Sequence, residues 1–415
     1  MTMRVKIRKE KSRYLAYFID SRRIVGVNEI GSVILDLLFN QGRHAEEIAN
    51  AIAGDYQIPL SQAKTDVAEF LAQIKTEVHP DGFNVIEQEQ LEVPLGIELE
   101  ITTSCNLRCK HCFQEHHGEM HMPTEKAIGI IGQLADHQVC EVSLIGGEPF
   151  RHKGLMEILE YCQNRDMAIN LVTNATLIDE DVVKRLAGIN RLVVIVSLDG
   201  TEKIHDYIRG KNVFSKVDTV LRKLCAAEIA VEVTCTLNSV NLPIYRDVIE
   251  YCEGLKIPCN FNLFKPFRSE HEGLIPDANT FFEAVADLLR LRRDKGYRIG
   301  LSNAAIVTEL LGLPPRNECR ATRSGMVIDV TGRMVTCPSL NAAGYYEVGE
   351  LPFFDDNFME TWRNHEAFVR FRQNGLRECQ ARSFIFNKDV HGRDPYGIDA
   401  FQEYWHNKEA ATAQS

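Results

Sequence analysis

Between residues 95 and 305 the chain alternates six short β-rich runs with helical patterns, and this alternation constrains the fold more than any other feature. The runs are Gly96–Thr102, Val142–Ile145, Ala168–Thr173, Leu192–Leu198, Ala230–Leu237 and Cys259–Phe264. Helical spacing of apolar residues fills the gaps, as in Lys126–His137, Leu155–Arg165 and Lys216–Glu228. Strands separated by helices predict an α/β fold, a parallel sheet with right-handed crossovers. Within the strands one side is apolar and the other polar. Ile97, Leu99 and Ile101 oppose Glu98, Glu100 and Thr102, and Val231, Val233, Cys235 and Leu237 oppose Glu232, Thr234, Thr236 and Asn238. A parallel sheet covered on both faces reads apolar on both. The polar face is therefore expected to line a cavity, as in an open partial barrel.

At 415 residues the chain has room for two further parts. Residues 1–90 predict strands at Tyr14–Asp20 and Ile24–Val27. Three helices follow: one capped by Asn28 and running to Gly42, then His44–Gly54 and Ser61–Glu77. The outline is winged-helix-like. Residues 306–415 are mixed, with a strand-like stretch at Met326–Val330 and a tail expected to fray at Ala410–Ser415. No apolar run approaches the roughly 20 residues of a membrane span. No apolar segment follows the basic start, so a secretory signal is not expected. The net charge is −11, and residues 1–90 carry 11 Lys and Arg against 13 Asp and Glu, so no basic footprint for nucleic acid is present. Twelve cysteines without an export signal predict a cytoplasmic protein whose thiols are ligands, catalytic groups or buried side chains.

The chemistry stands directly after the first strand. The segment ITTSCNLRCKHCF spaces Cys105, Cys109 and Cys112 as CxxxCxxC. Three thiolates can hold three irons of a cubane cluster and leave the fourth open for chemistry. Zinc would need a fourth ligand, which His111, His116 or His117 offers. Further landmarks fall at later strand ends: Gly146-Gly147-Glu148-Pro149, Thr173-Asn174, and Ser197-Leu198-Asp199-Gly200 followed by His205-Asp206 and Arg209-Gly210. Open α/β sheets bind ligands at the C-terminal ends of their strands.

In these residues the sequence resembles the radical SAM superfamily. The resemblance implies a partial (β/α)6 barrel over residues 91–305. It implies a 4Fe–4S cluster on Cys105, Cys109 and Cys112, and S-adenosylmethionine on Gly146, Gly147, Glu148, Pro149, Asn174, Ser197 and Arg209. The stretch GVNEIGSVILDLLFNQGRHAEEIANAIA, continued by SQAKTDVAEFLAQIK, resembles the RiPP recognition element. That likeness implies a leader-peptide-binding domain over residues 1–90, in which the leader adds a strand to the sheet edge at Ile24–Val27. A chain beginning near Leu91 is then expected to cleave the cofactor on its own.

Residues 306–415 resemble the SPASM or twitch extension. Cys319, Gly332 and Cys337 fit its opening pattern and Cys379 follows. The family's further cysteines, expected near Arg382, Lys388, Gly392 and Gly397, are missing. The extension therefore holds at most one auxiliary iron–sulfur cluster, on Cys319, Cys337 and Cys379, or is metal-free. Cys140, Cys162, Cys225, Cys235, Cys252 and Cys259 are expected to be structural thiols. The implied function is radical modification of a ribosomally made precursor peptide, through a thioether or a carbon–carbon (cyclophane-type) crosslink. Peptide epimerisation, which needs a thiol donor in the barrel, and chemistry on a small molecule are the alternatives. A flavodoxin or ferredoxin would supply electrons. No nucleic-acid or membrane partner is expected, and no catalytic residue is assigned.

Overall fold

Alternating side chains decide how the main sheet is dressed. The computed structural model describes residues 4–76, 90–114, 118–302, 304–313, 319–374 and 378–413. Six expected strands are present as β4 (Gly96–Thr102), β5 (Glu141–Gly146), β6 (Ala168–Thr173), β7 (Leu192–Ser197), β8 (Ala230–Leu237) and β9 (Cys259–Leu263). They are parallel neighbours in chain order. Their apolar sides, including Ile97, Leu99, Ile101, Val231, Val233 and Leu237, join helix residues such as Ile131, Leu159 and Val217 in one large core. Cys235, Cys252 and Cys259 are buried in that core.

Three strands of the sheet fall outside the six expected runs. β10 (Ile299–Leu301) pairs with β9 and is also parallel. β11 (Gly325–Ile328) pairs in parallel with β4, and β12 (Met334–Val335) closes that edge antiparallel to β11. The strand-like stretch near Met326 is thus part of the main sheet. The last helix, Ile398–Ala413, continues through most of the tail that the sequence reads as frayed.

The N-terminal part is a second, antiparallel sheet of β1 (Val5–Glu10), β2 (Arg13–Phe18) and β3 (Arg23–Val27). The charged run VKIRKE of β1 carries no strand signal of its own. Asn28 caps α1 (Glu29–Leu35), accepting the Gly31 N–H at 2.7 Å. This helix stops short of Gly42, because residues 36–40 wind into a wider turn. α2 (Ala45–Asp55) and α3 (Leu60–Thr76) follow. The expected helix end at Glu77, and also His116 and His117, lie outside the described residues.

Both faces of β2 are covered. Ala16 and Phe18 pack with Val25, Val27 and Leu35 beneath Phe70 of α3. Leu15, Tyr17, Ile19 and Ile24 pack on Leu91, Leu95, Cys140 and Ala168. Those four precede or begin β4, β5 and β6, so the small sheet closes the foot of the barrel, at the N-terminal strand ends. Side chains nail the seam: Lys6 and Arg8 donate to the carbonyls of Val139, Arg165, Val93 and Pro94, and Tyr17 Oη donates to Glu141 at 2.7 Å. Burying each large apolar side chain contributes about 1.5–3 kcal/mol. A chain beginning at Leu91 would bare this face.

Candidate functional site

The polar face of the main sheet does line a cavity, of about 1320 Å³. Its head is built from the loops at the C-terminal strand ends, where Cys105, Cys109, Cys112, Gly146, Gly147, Asn174, Ser197 and Arg209 all reach it. Glu98, Glu100, Ser143, Glu232, Thr234, Asn260 and Asn262 line its walls. Pro258, Tyr297 and Arg298 bring it down to the foot. Burial raises the pKa of Glu98, Glu100 and Glu232. Glu98 is enclosed by the barrel yet open to cavity water, with Arg320 and Lys265 partly offsetting the rise.

The head is formed by close backbone approach. A Cβ on Gly146 would stand 2.2 Å from the Thr102 carbonyl oxygen, and one on Gly147 2.4 Å from that of Ser104. The Gly147 and Glu148 amides serve the same strand end, donating to the Thr102 and Ser104 carbonyls at 2.8 Å each. Gly147→Ala is expected to cost about 1–3 kcal/mol in a denaturant melt, because neither carbonyl can retreat. An unchanged midpoint would show that this wall yields.

Glu148 and Pro149 sit behind the wall. The Glu148 carboxylate is fully buried and accepts from Thr173 Oγ1 and the Asn174 amide, both at 2.7 Å, so it fixes the end of β6. Burial lifts its pKa to about 7, against the pull of those bonds. Asn174 Nδ2 in turn reaches Asn106 at 3.0 Å and Cys105 Sγ at 3.8 Å.

Asp199, quoted in the sequence only as part of a strand-end turn, anchors the other side. It is fully buried and holds Arg209 Nε at 2.5 Å, while its Oδ1 accepts the Thr236 amide at 2.9 Å. Arg209 Nη1 lies 3.9 Å from Cys109 Sγ. His111 Nε2 lies 3.3 Å from Asp199, and its Nδ1 is buried without a hydrogen-bond partner among the described residues. Burial keeps His111 neutral, with a pKa of about 4. Burial also pushes the Cys109 thiol up to about 11, opposed by Arg209.

The donor set fits a cluster. Three thiols on one loop border a cavity, and Arg209 and Asn174 are placed to donate to two of them. Among the described residues no three His, Cys, Asp or Glu side chains gather around one point as a single ion requires. Cubane ligands attach to different irons and stand farther apart.

A second thiol set forms in the C-terminal part. Burial raises Cys319 to about 12, and the neighbouring Cys337 and Cys379 act in the same direction. Burial and Cys379 likewise raise Cys337. Cys337 and Cys379 pack beside Leu340, Phe371 and Ala381, and Cys319 lies near enough to both to feel their charge. Arg320 and Ser339, next to Cys319 and Cys337 in sequence, line the main cavity. Arg382 and Asp394 form a buried ion pair at 2.7 Å close by, and Asp394 also accepts the Cys379 amide.

Comparison with known proteins agrees with this arrangement. Residues 99–250 match the radical SAM superfamily, and residues 14–77 match coenzyme PQQ synthesis protein D. The chain is 26% identical to the mycofactocin maturase MftC of Mycobacterium tuberculosis over 345 residues, 77% of this chain and 87% of the relative. It is 30% identical to the sporulation killing factor maturation protein SkfB of Bacillus subtilis, over 39% of this chain and 40% of that one. In fold it matches Streptococcus suis SuiB bound to S-adenosylmethionine, with TM-score 0.72 and 16% identity over 96% of this chain and all of that one. SuiB bound to the precursor peptide SuiA matches with TM-score 0.70 at 15% identity.

Proposed function

From a chain that carries a radical SAM domain behind a PqqD-type domain, we infer an enzyme that crosslinks residues of a ribosomally made precursor peptide. One observation carries this reading: the cavity runs from the three-cysteine loop to the foot of the barrel, where the N-terminal sheet is docked. Similarity to peptide maturases over most of the chain points the same way.

We assign Cys105, Cys109 and Cys112 as ligands of the 4Fe–4S cluster. Bound together, cluster and S-adenosylmethionine supply a 5′-deoxyadenosyl radical for hydrogen abstraction. The chain does the rest. Gly146 and Gly147 offer a backbone wall without side chains, and Glu148 braces it from behind. Asn174, Ser197 and Arg209 present polar groups to the cofactor. Residues 1–90 bind the leader by strand addition along β3, and residues 91–305 and 306–415 form the barrel and the extension. Cys319, Cys337 and Cys379 hold one auxiliary cluster. A flavodoxin or ferredoxin in the reducing cytoplasm fits thiols that are all free in the fold.

Crosslinking is favoured over epimerisation by the lining. Among the described residues, no cysteine beyond Cys105, Cys109 and Cys112 faces the cavity. Cys235 and Cys259 point into the core instead. Co-expression with a candidate precursor, a short peptide sought among the neighbouring genes, is the test. Loss of hydrogens from the peptide, by mass spectrometry, is expected. An unchanged mass with a residue of inverted configuration would favour epimerisation, and a peptide left untouched would overturn the reading.

A further inference from the structure

The turn between β2 and β3 does something that the small sheet does not need for its own folding. Arg22 sits there with φ +55°, a left-handed conformation unusual for a side-chain-bearing residue. Its guanidinium leaves the N-terminal sheet and enters the foot of the barrel. Nη2 donates to the carbonyls of Ile169 at 2.8 Å and Arg191 at 3.1 Å, at the start of β6 and β7. Nη1 donates to the Asn170 side chain. Asn170 lies on the polar side of β6 and passes the contact on, donating to Ser143 Oγ at 3.1 Å. Ser143 is a wall residue of the cavity, as is Glu232 on β8, which also feels the Arg22 charge and accepts from Asn260.

We propose that Arg22 is a positioning residue of the substrate cavity, supplied by the N-terminal sheet: through Asn170 it sets the Ser143 hydroxyl on the cavity wall. The foot of the cavity is then complete only while the peptide-recognition sheet is seated. A guanidinium suits this place because its rigid planar fork holds two carbonyls and an amide oxygen in fixed relative positions, where an ammonium offers only a compact, freely rotating set of donors. The wall group it orders is a hydroxyl, which can accept from an amide N–H of an extended peptide. β3 begins at the next residue, Arg23. A leader strand laid along β3 would therefore stiffen the turn that carries Arg22. This proposal rests on the peptide-modifying reading above.

The test uses the full-length, iron-loaded enzyme and its precursor peptide, with Arg22→Gln, Arg22→Lys and Asn170→Ala. Leader affinity is read by fluorescence anisotropy. Coupling is read as modified peptide formed per 5′-deoxyadenosine released. With Arg22→Gln the coupling is expected to fall about tenfold and KM for the peptide to rise, at unchanged leader affinity, since small misplacements of bound substrate carry losses of this size. Arg22→Lys should recover part of the loss. Asn170→Ala breaks the relay from the barrel side while the sheet stays seated, and should lower coupling in the same way. Wild-type coupling in both Arg22→Gln and Asn170→Ala would overturn the proposal. So would a loss of leader affinity matching the loss of turnover, which would reduce Arg22 to a structural clamp. If the unaltered enzyme fails to modify the peptide, the underlying reading fails instead.

Discussion

No 5′-deoxyadenosine is expected from the chain carrying Cys105→Ala, Cys109→Ala and Cys112→Ala, whatever reductant is added. These thiols share one loop at the head of the cavity, and no other cysteine lines it among the described residues. The same protein answers a second question. Its remaining convergent set, Cys319, Cys337 and Cys379, should retain about four irons per chain after anaerobic reconstitution. No iron would make the C-terminal thiols structural, and about eight would require ligands that the sequence lacks. Release of 5′-deoxyadenosine by the triple variant would sink the cluster assignment itself.

Asp199→Ala should be the most destabilising single substitution at the head. Arg209 is only 11% exposed and Asp199 0%. Removing the carboxylate leaves a buried guanidinium uncompensated, a loss of about 3–5 kcal/mol. Asp199→Asn keeps an acceptor for the Thr236 amide and should lose less. Burial alone would raise the Asp199 pKa, but Arg209, His111, His205 and the Thr236 amide hold it down to about 2. An aspartate depressed in this way stabilises the fold above its unfolded pKa, near 4, and the contribution fades as pH falls through about 2. The two proteins should therefore differ in denaturation midpoint at pH 7 and converge in strong acid. Equal midpoints at pH 7 would mean that Arg209 finds another partner.

What the sequence reveals follows from the range of each interaction. The strands of the barrel announce themselves because alternation within five to eight residues is a local signal. CxxxCxxC is legible because one loop supplies all three thiols. β1 is hidden because Lys6 and Arg8 read as surface charge, yet they reach backbone carbonyls 159 and 130 residues away. Arg22 is hidden for the same reason: its acceptors lie 147 and 169 positions on, and carbonyls leave no trace in composition. β10 is only three residues long, too short for a pattern. The role of Glu148 is masked by its motif, which places it correctly at the strand end without saying that it faces inward.

The docking of the small sheet at the foot, with the cysteine loop at the head, turns the barrel into a ruler. β8 spans eight residues, so at about 3.3 Å per residue step the two ends lie about 23 Å apart. On the proposed reading, a peptide gripped along β3 must cross that height before its C–H bonds can meet the radical. An extended segment needs about eight residues to do so. Shortening the spacer between leader and modified residue below this length should stop the chemistry abruptly, whereas lengthening it should cost little, since loop entropy grows only slowly with length.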